Sequence, residues 1–246
     1  MAAKTRPNHS SLPRSRLPRS RLRLVFDLDD TLYPERQFAV SGFRACAGWL
    51  ARDHGVATSD NVVEHMTRLL DDGHMRALFE IVLGDNIGAY SPATLEAFID
   101  IYRLHEPEIS FYHDTEDVLA HYEARGPLGL ITDGQPEVQS SKVRALGLEP
   151  RFAHIVYTSG LGGRAFAKPH PRAFEVTEAA LGQPGDRFVY VGDNPAKDFV
   201  APNLRGWTTV QVLRPQRIHA RAKMAEGGAA QHVVETLAAL PDLLGE

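Results

Sequence analysis

The chain has 246 residues, of which 43% are hydrophobic and 24% charged, a composition ordinary for a globular protein. No apolar run approaches the roughly 20 residues that a membrane helix needs, so we expect no membrane partner. The formal net charge is −4, but residues 1–23 contain seven basic side chains and no acid. The remainder is therefore strongly acidic and unsuited to binding nucleic acid. A single cysteine, Cys46, excludes an internal disulfide and favours a cytoplasmic location.

The first segment, residues 1–21, contains three prolines, several serines and two consecutive copies of the pentad LPRSR. Such a segment has too few apolar side chains to order itself, so we predict a disordered basic tail. The first strand is predicted at Leu24, Val25 and Phe26, because this run is apolar on both faces, as in a buried parallel strand.

Helical patterns alone follow the first strand. The apolar periodicity predicts three helices, over about residues 38–50, 62–83 and 91–104. Helices without intervening strands form a bundle of their own. We therefore predict an all-helical domain at residues 35–112, inserted into a core made of residues 22–34 and 113–246.

Alternating helices and strands return after residue 113. The predicted helices cover residues 115–125, 136–146, 172–181 and 233–244, and the predicted strands cover residues 128–132, 152–157, 188–191 and 207–213. Strands separated by helices form βαβ units. The predicted fold class is therefore α/β, with a doubly wound parallel sheet.

Polar side chains stand where several of these strands end. Asp27 and Asp29 follow the first strand, and Thr132 ends the second. Asp193 follows a later strand, while Lys168 is fixed between prolines ahead of a helix. Because ligands bind at the carboxyl ends of the strands in an open parallel sheet, we expect these groups to meet at one edge.

The pair Asp27 and Asp29 is the most informative of these groups. Their side chains leave the same face of an extended chain, about 6 to 7 Å apart. Two like charges held this close need a cation or a shared proton. The pair therefore predicts a metal ion in the site.

Four motifs in this order resemble those of the haloacid dehalogenase superfamily. They are Asp27-x-Asp29-x-Thr31, Thr132, Lys168, and Gly192-Asp193 with Asp198 five residues later. The resemblance implies a Rossmann-like core, and it gives the helices of residues 35–112 the position of a mobile cap. The first motif, FDLDDTLYP, is similar to that of the pyrimidine nucleotidase branch.

The chemistry of these residues suggests a role for each. Asp27 would attack phosphorus and form an aspartyl phosphate. Asp29 would protonate the leaving group and then activate water, which requires its pKa to be raised. Thr132 and Lys168 would bind the phosphoryl oxygens together with the loop at Asp133 and Gly134; substrate binding is thus assigned to Thr132, Asp133, Gly134 and Lys168. Asp133 stands where the family often has asparagine, so we expect a partner to hold its extra charge.

The charge balance suggests magnesium as the cofactor. Asp27, Asp29, Asp30, Asp193 and Asp198 face Lys168, taken as the only cation of the four motifs. Carboxylate oxygens without histidine or cysteine suit Mg²⁺. By resemblance, the ligands would be Asp27, the backbone carbonyl of Asp29, and Asp193, with Asp198 orienting waters or Lys168 behind them.

The favoured function is a magnesium-dependent phosphatase acting on a small phosphorylated metabolite, either a nucleotide or a sugar phosphate. A 2-haloacid dehalogenase is the first alternative, disfavoured because its halide leaves without the proton that Asp29 supplies. A phosphomutase of the same fold and a catalytically inactive binding module stay open as well. We expect a monomer or a homodimer. Two further residues, Tyr33 and His170, could contact the substrate from their loops.

Overall fold

The computed structural model describes residues 21–56, 59–75, 77–220 and 222–245, without the side chain of Ser59. The predicted disordered tail lies outside the described residues except for Arg21. A six-stranded sheet forms the centre, with every strand parallel to its neighbours and the order β3-β2-β1-β4-β5-β6. The strands are β1 Leu22–Phe26, β2 Gly129–Thr132, β3 His154–Tyr157, β4 Arg187–Gly192, β5 Thr208–Val212 and β6 His232–Val234.

Helices cover both faces of this sheet and also form the insertion after β1. They are α1 Glu35–His54, α2 Ser59–Asp71, α3 Leu78–Ile87, α4 Pro92–Leu104, α5 Thr115–Glu123, α6 Pro136–Ala145, α7 Arg172–Leu181, α8 Val200–Leu204 and α9 Leu240–Leu244. Among the described residues, no helix has the length and apolar character that crossing a membrane requires.

Alternate residues of β1 point into two different cores. Leu24 and Phe26 pack on the face covered by α5, α6 and α9. Val25 packs on the opposite face with Phe174 of α7. Because successive side chains of a strand point to opposite faces, the uninterrupted apolar run of β1 fits a sheet buried on both sides. The predicted doubly wound α/β fold is confirmed.

The insertion between β1 and β2 has a hydrophobic cluster of its own. Helices α1 to α4 contribute buried side chains that include Phe43, Leu50, Met66 and Phe98. Cys46 is buried in this cluster as one of its core residues. The packing is helix on helix, as the absence of strand patterns in this stretch predicts.

Two element predictions were wrong. The second predicted helix of the insertion is two helices, α2 and α3, because Gly73 leaves the helical conformation with a φ of 80°. The predicted closing helix over residues 233–244 begins as strand β6, which pairs with β5. The β-branched residues Val233 and Val234 extend the sheet instead of starting a helix.

Strands β1 and β4 lie side by side at the middle of the sheet, with β1 pairing β2 on its other side. The strand order reverses at this point, since the chain continues outward from β1 in one direction and from β4 in the other. An open α/β sheet binds ligands in the crevice that forms there. Asp27 follows β1 and Asp193 follows β4, so both stand at the mouth of that crevice.

Candidate active site

Lys168 is the centre of the site, and its ammonium is fully buried. The Nζ atom lies 2.7 Å from Asp27 Oδ1 and 2.7 Å from Asp198 Oδ1. It also donates a hydrogen bond to the Tyr190 hydroxyl at 2.9 Å. Burial alone would lower the pKa of a lysine, but Asp198 and Asp27 raise the pKa of Lys168 far above its ordinary value. Lys168 is therefore a permanent cation between the two carboxylates.

Three buried carboxylates, those of Asp27, Asp193 and Asp198, converge beside this cation. One oxygen of each lies within 4.8 Å of the others. Asp27 Oδ2 and Asp193 Oδ2 are buried and accept no hydrogen bond from any of the described residues. A buried anionic oxygen without a donor is costly, so these two oxygens fit a hard divalent cation.

The electrostatics of the cluster point in the same direction. Burial raises the pKa of Asp193 to about 9, with further contributions from the negative charges of Asp198 and Asp27. Burial also raises the pKa of Asp27 to about 6, against the opposing effect of Lys168. Asp193 therefore ionises at neutral pH only if a further positive charge joins it. Mg²⁺, which prefers oxygen ligands, satisfies this requirement.

Asp198 is held firmly in this cluster. Its Oδ2 accepts a hydrogen bond of 2.8 Å from the backbone N–H of Asn194. A Cβ atom at Gly192 would lie only 2.7 Å from the same oxygen, so this position has no room for a side chain. The predicted contact between Asp198 and Lys168 is present in the structure.

Asp29 lies beside these groups but is oriented differently. Its Oδ1 accepts hydrogen bonds from Tyr33 Oη at 2.5 Å and Lys142 Nζ at 2.7 Å, and its Oδ2 accepts one from Gln139 Nε2 at 2.8 Å. Burial would raise the pKa of Asp29, but the charge of Lys142 and these hydrogen bonds lower it below its ordinary value. The expectation of a raised pKa for Asp29 was therefore wrong, because a lysine outside the four motifs neutralises the carboxylate.

Thr132 ends β2 and is completely buried. Its hydroxyl lies 2.5 Å from Gln139 Nε2 on the first turns of α6. Gly134 follows with a φ of 134°, which only glycine adopts readily. Thr132 and Gly134 thus stand together where a phosphoryl group would meet the start of α6.

Asp133 has the partner that its extra charge requires. Its Oδ1 accepts hydrogen bonds from the Thr158 hydroxyl at 2.8 Å and the backbone N–H of Lys168 at 3.0 Å. Its Oδ2 forms an ion pair of 3.2 Å with Lys197. The expectation that a partner holds Asp133 is confirmed.

Treating Lys168 as the only cation of the motifs was wrong. Lys197 lies within the fourth motif, one residue before Asp198, and Lys142 reaches Asp29 from α6. The spacing of Gln139 and Lys142, three residues apart on one face of a helix that follows Thr132, could have identified both. The negative charge of the site is consequently smaller than the motifs alone suggest.

The loop between β1 and α1 is held by buried polar contacts. Asp30 has a φ of 53°, and its carboxylate accepts hydrogen bonds from the backbone N–H of Glu35 at 2.9 Å and of Ile218 at 2.7 Å. Arg214 donates to the Thr31 carbonyl at 3.0 Å. These contacts fix the turn that carries Asp27 and Asp29.

Two residues considered for substrate contact have other surroundings. Tyr33 is fully buried and uses its hydroxyl on Asp29, so its ring has no face for a ligand. His170 is exposed, its ring lies against Phe166, and its Nδ1 accepts a hydrogen bond from the backbone N–H of Arg172. A contact between either side chain and substrate is not supported by this geometry.

Curated relatives align with most of the chain. A glyceraldehyde 3-phosphate phosphatase of Methanopyrus kandleri is 30% identical over 203 residues, which cover 78% of this chain and 83% of the relative. One of Methanocaldococcus jannaschii is 27% identical, covering 78% and 84% respectively. A phosphoserine phosphatase of Thermus thermophilus is 35% identical over 43% of each chain. All three names agree with the predicted class, a phosphoric monoester hydrolase.

Solved structures share the fold. A HAD-hydrolase from Bacillus subtilis bound to magnesium has a TM-score of 0.61 at 19% identity and covers 93% of this chain and 100% of its own. A 2-haloacid dehalogenase from Pseudomonas syringae has a TM-score of 0.58 at 23% identity and covers 92% and 98%. At these identities the likeness concerns the fold alone.

Family comparisons cover the core and the insertion together. The family described as haloacid dehalogenase-like hydrolase matches residues 23–202, and one described as HAD-hydrolase-like matches residues 165–240. The first match contains every residue of the four motifs in the order that brings them to one edge of the sheet. The chain therefore belongs to the haloacid dehalogenase-like hydrolase family.

Proposed function

We propose that this hydrolase is a magnesium-dependent phosphatase that acts on a small phosphorylated metabolite through an aspartyl phosphate. The observation that carries the proposal is the position of Asp27, whose Oδ1 is held by Lys168 while its buried Oδ2 has no hydrogen-bond donor among the described residues. A buried carboxylate whose orientation is fixed by Lys168 is suited to nucleophilic attack.

In the first step, an oxygen of Asp27 attacks phosphorus and the bond to the leaving oxygen breaks. Lys168 and the Thr132 hydroxyl stabilise the phosphoryl oxygens as charge develops on them. In the free protein Asp29 is ionised, but the negative charge of a bound phosphate would raise its pKa from this lowered value, so that Asp29 takes up a proton from solvent as substrate binds. Asp29 then supplies this proton to the leaving alkoxide and afterwards takes one from the water that hydrolyses the aspartyl phosphate. Release of phosphate and of that proton returns the enzyme to its starting state.

Magnesium would be held by carboxylate oxygens of Asp27 and Asp193, together with the backbone carbonyl of Asp29 that the family resemblance implies. Asp198 lies close enough to belong to the same group. When bound, the ion supplies positive charge that offsets the carboxylates and the phosphate. The magnesium in the structurally similar HAD-hydrolase of Bacillus subtilis supports this choice of metal.

A short phosphorylated metabolite is the substrate class we favour. The curated relatives covering most of the chain are named for glyceraldehyde 3-phosphate, and the shorter match is named for phosphoserine. Both compounds carry one phosphate on a three-carbon skeleton. A nucleotide, indicated by the similarity of the FDLDDTLYP run, is the second candidate. A location in the cytoplasm and a monomeric or homodimeric state stay predictions.

We propose further that the helices of residues 35–112 act as a cap over the site. Two contacts near the mouth support this role. Phe38 of α1 packs its ring 4.3 Å from Lys142 Nζ, which in turn holds Asp29. Ile218, in the loop after β5, packs against the hydrophobic cluster of the insertion.

A panel assay tests the function. Purified protein should release phosphate from glyceraldehyde 3-phosphate or phosphoserine in the presence of Mg²⁺, and excess EDTA should abolish this release until Mg²⁺ is restored. Nucleotides, sugar phosphates and 2-haloacids complete the panel. Activity that survives chelation would contradict the metal site, and reaction of the haloacids alone would show the chain to be a dehalogenase.

A further inference from the structure

The carboxylate of Asp29 is held by three donors that divide its two oxygens unequally. Tyr33 Oη and Lys142 Nζ both donate to Oδ1, whereas only Gln139 Nε2 donates to Oδ2. A carboxylate oxygen accepts about two hydrogen bonds, so Oδ1 is fully used. Among the described residues, Oδ2 is left with one acceptor position for a further group.

The same Gln139 nitrogen also contacts the phosphate-binding hydroxyl. It lies 2.8 Å from Asp29 Oδ2 and 2.5 Å from Thr132 Oγ1. The Gln139 amide therefore fixes the distance between two atoms of the site. They are Thr132 Oγ1, which would bind a phosphoryl oxygen, and Asp29 Oδ2, which would exchange a proton. Gly134 makes room for this side chain, because a Cβ atom there would lie 2.9 Å from Gln139 Cγ.

The ion pair between Lys142 and Asp29 differs from an ordinary surface ion pair. Only 4% of the Lys142 side chain is exposed, and its ammonium stacks over the ring of Phe38. Exposed ion pairs contribute little because water screens them, whereas a buried lysine is costly without a well-placed partner. The burial of Lys142 against Asp29 therefore indicates a specific task at the site.

We propose that Gln139 and Lys142 of α6 are positioning residues that direct Oδ2 of Asp29 to the leaving-group oxygen of the substrate. This inference rests on the proposed phosphatase function. Lys142, with Tyr33, occupies the oxygen that does not react, and Gln139 aligns the one that does with the phosphoryl group on Thr132. Neither side chain belongs to the four motifs.

The proposal predicts a dependence on the leaving group. As Asp27 bonds to phosphorus, the ester P–O bond breaks, and the proton that Asp29 takes up from solvent when substrate binds moves from its Oδ2 to the departing oxygen. An alkoxide needs that proton, whereas p-nitrophenolate is stable enough to leave without it. Misplacing Asp29 should therefore slow the reaction of alkyl phosphates much more than that of p-nitrophenyl phosphate.

The experiment measures kcat/KM, which reports the steps up to the departure of the leaving group, for p-nitrophenyl phosphate and for glyceraldehyde 3-phosphate or phosphoserine. The variants are Gln139→Met and Lys142→Met, which keep volume and remove the donors. Arg144→Met is the matched control, since Arg144 is exposed on the same helix. Lys142→Arg keeps a donor for Oδ1.

We expect Gln139→Met and Lys142→Met to lower kcat/KM for the alkyl phosphate by about 10- to 100-fold, part of what a general acid contributes. The value for p-nitrophenyl phosphate should change by less than about 3-fold, which also shows that the variants fold. Lys142→Arg should recover part of the loss, and Arg144→Met should show none.

Equal losses on both esters in Gln139→Met and Lys142→Met would overturn the positioning role, because a general structural defect does not distinguish leaving groups. Unchanged kcat/KM on both esters would overturn it as well. A wild-type protein that hydrolyses neither ester would instead contradict the proposed function. The two failures are therefore distinguishable.

Discussion

The ammonium of Lys168 lies 2.7 Å from the carboxylate of Asp198, and both side chains are completely buried. Asp198 in turn is fixed by the backbone N–H of Asn194. Because Asp198 holds the Lys168 ammonium, this ammonium stays in contact with Asp27. Asp198 therefore orients the main cation of the site and adds negative charge beside the candidate metal ligands.

Replacing the Asp198 carboxylate should weaken both the orientation of Lys168 and the binding of Mg²⁺. For Asp198→Asn we expect a loss of about 10- to 100-fold in kcat/KM together with a higher Mg²⁺ concentration for half-maximal activity, as is typical of groups that orient metal ligands. A magnesium titration of phosphate release measures both quantities. Asp242→Asn, on the exposed side of α9, is the control and should behave as the wild type. An unchanged magnesium dependence in Asp198→Asn would contradict this role.

A second prediction concerns the charge of Asp133. Asparagine at this position keeps an oxygen for the Thr158 hydroxyl and the N–H of Lys168, but removes the negative charge that pairs with Lys197. The site then repels a phosphate less. We expect Asp133→Asn to bind inorganic phosphate about two- to five-fold more tightly, a change of up to about 1 kcal/mol.

Product inhibition measures this change as the inhibition constant of phosphate against p-nitrophenyl phosphate hydrolysis. Thr158→Val removes one contact of Asp133 but leaves its charge. This variant therefore shows whether the loss of a contact alone changes phosphate binding. Weaker phosphate binding in Asp133→Asn would show that the ion pair with Lys197 supports the site rather than opposing the substrate.

A third prediction concerns the stability of the turn that carries Asp27 and Asp29. The buried pair of Asp114 and Arg214 has a separation of 2.7 Å, and Arg214 also donates to the Thr31 carbonyl. Removing the charge of Asp114 leaves the buried guanidinium uncompensated. Asp114→Asn should therefore lower the free energy of unfolding by about 3 kcal/mol at neutral pH.

The pH dependence of this effect has a definite sign. Although burial would raise it, hydrogen bonds from Arg214 and Thr236 lower the pKa of Asp114 from 3.8 to about 2. The stabilisation is thus fully present above pH 3.8 and is lost as the pH falls through about 2. Urea unfolding of wild type and variant should show a gap that narrows between pH 5 and pH 2.5, with exposed Asp53→Asn as the control. A constant gap would contradict the pKa shift.

Much of the core could be predicted from the chain because its signals are local. Strand periodicity is enough to predict the apolar run before Asp27. The rule that parallel strands end at one edge then predicts that the polar residues at the ends of β2 and β4 meet it there. The geometry then brings Asp27, Lys168 and Asp198 into direct contact. The short strand β6 was missed because three residues give too little pattern to separate a strand from a helix.

The proton chemistry of Asp29 could not be predicted in the same way. Its pKa depends on Lys142, which is 113 residues away along the chain and lies outside every motif. A raised pKa was expected because a proton donor requires one, and this reasoning did not include a cation supplied by α6. Likewise, Tyr33 was considered for stacking on a ligand because it stands next to Asp27 and Asp29 in the sequence, but the fold buries its ring and places its hydroxyl against Asp29.

The most direct test of the central claim is to trap the covalent intermediate. Protein quenched with acid during turnover of ³²P-labelled substrate, then digested and mapped, should carry the label on the peptide that contains Asp27. Asp27→Asn should carry none and should have lost turnover. Rapid turnover without a covalent label, or a label on another peptide, would contradict the assignment of Asp27 as the nucleophile.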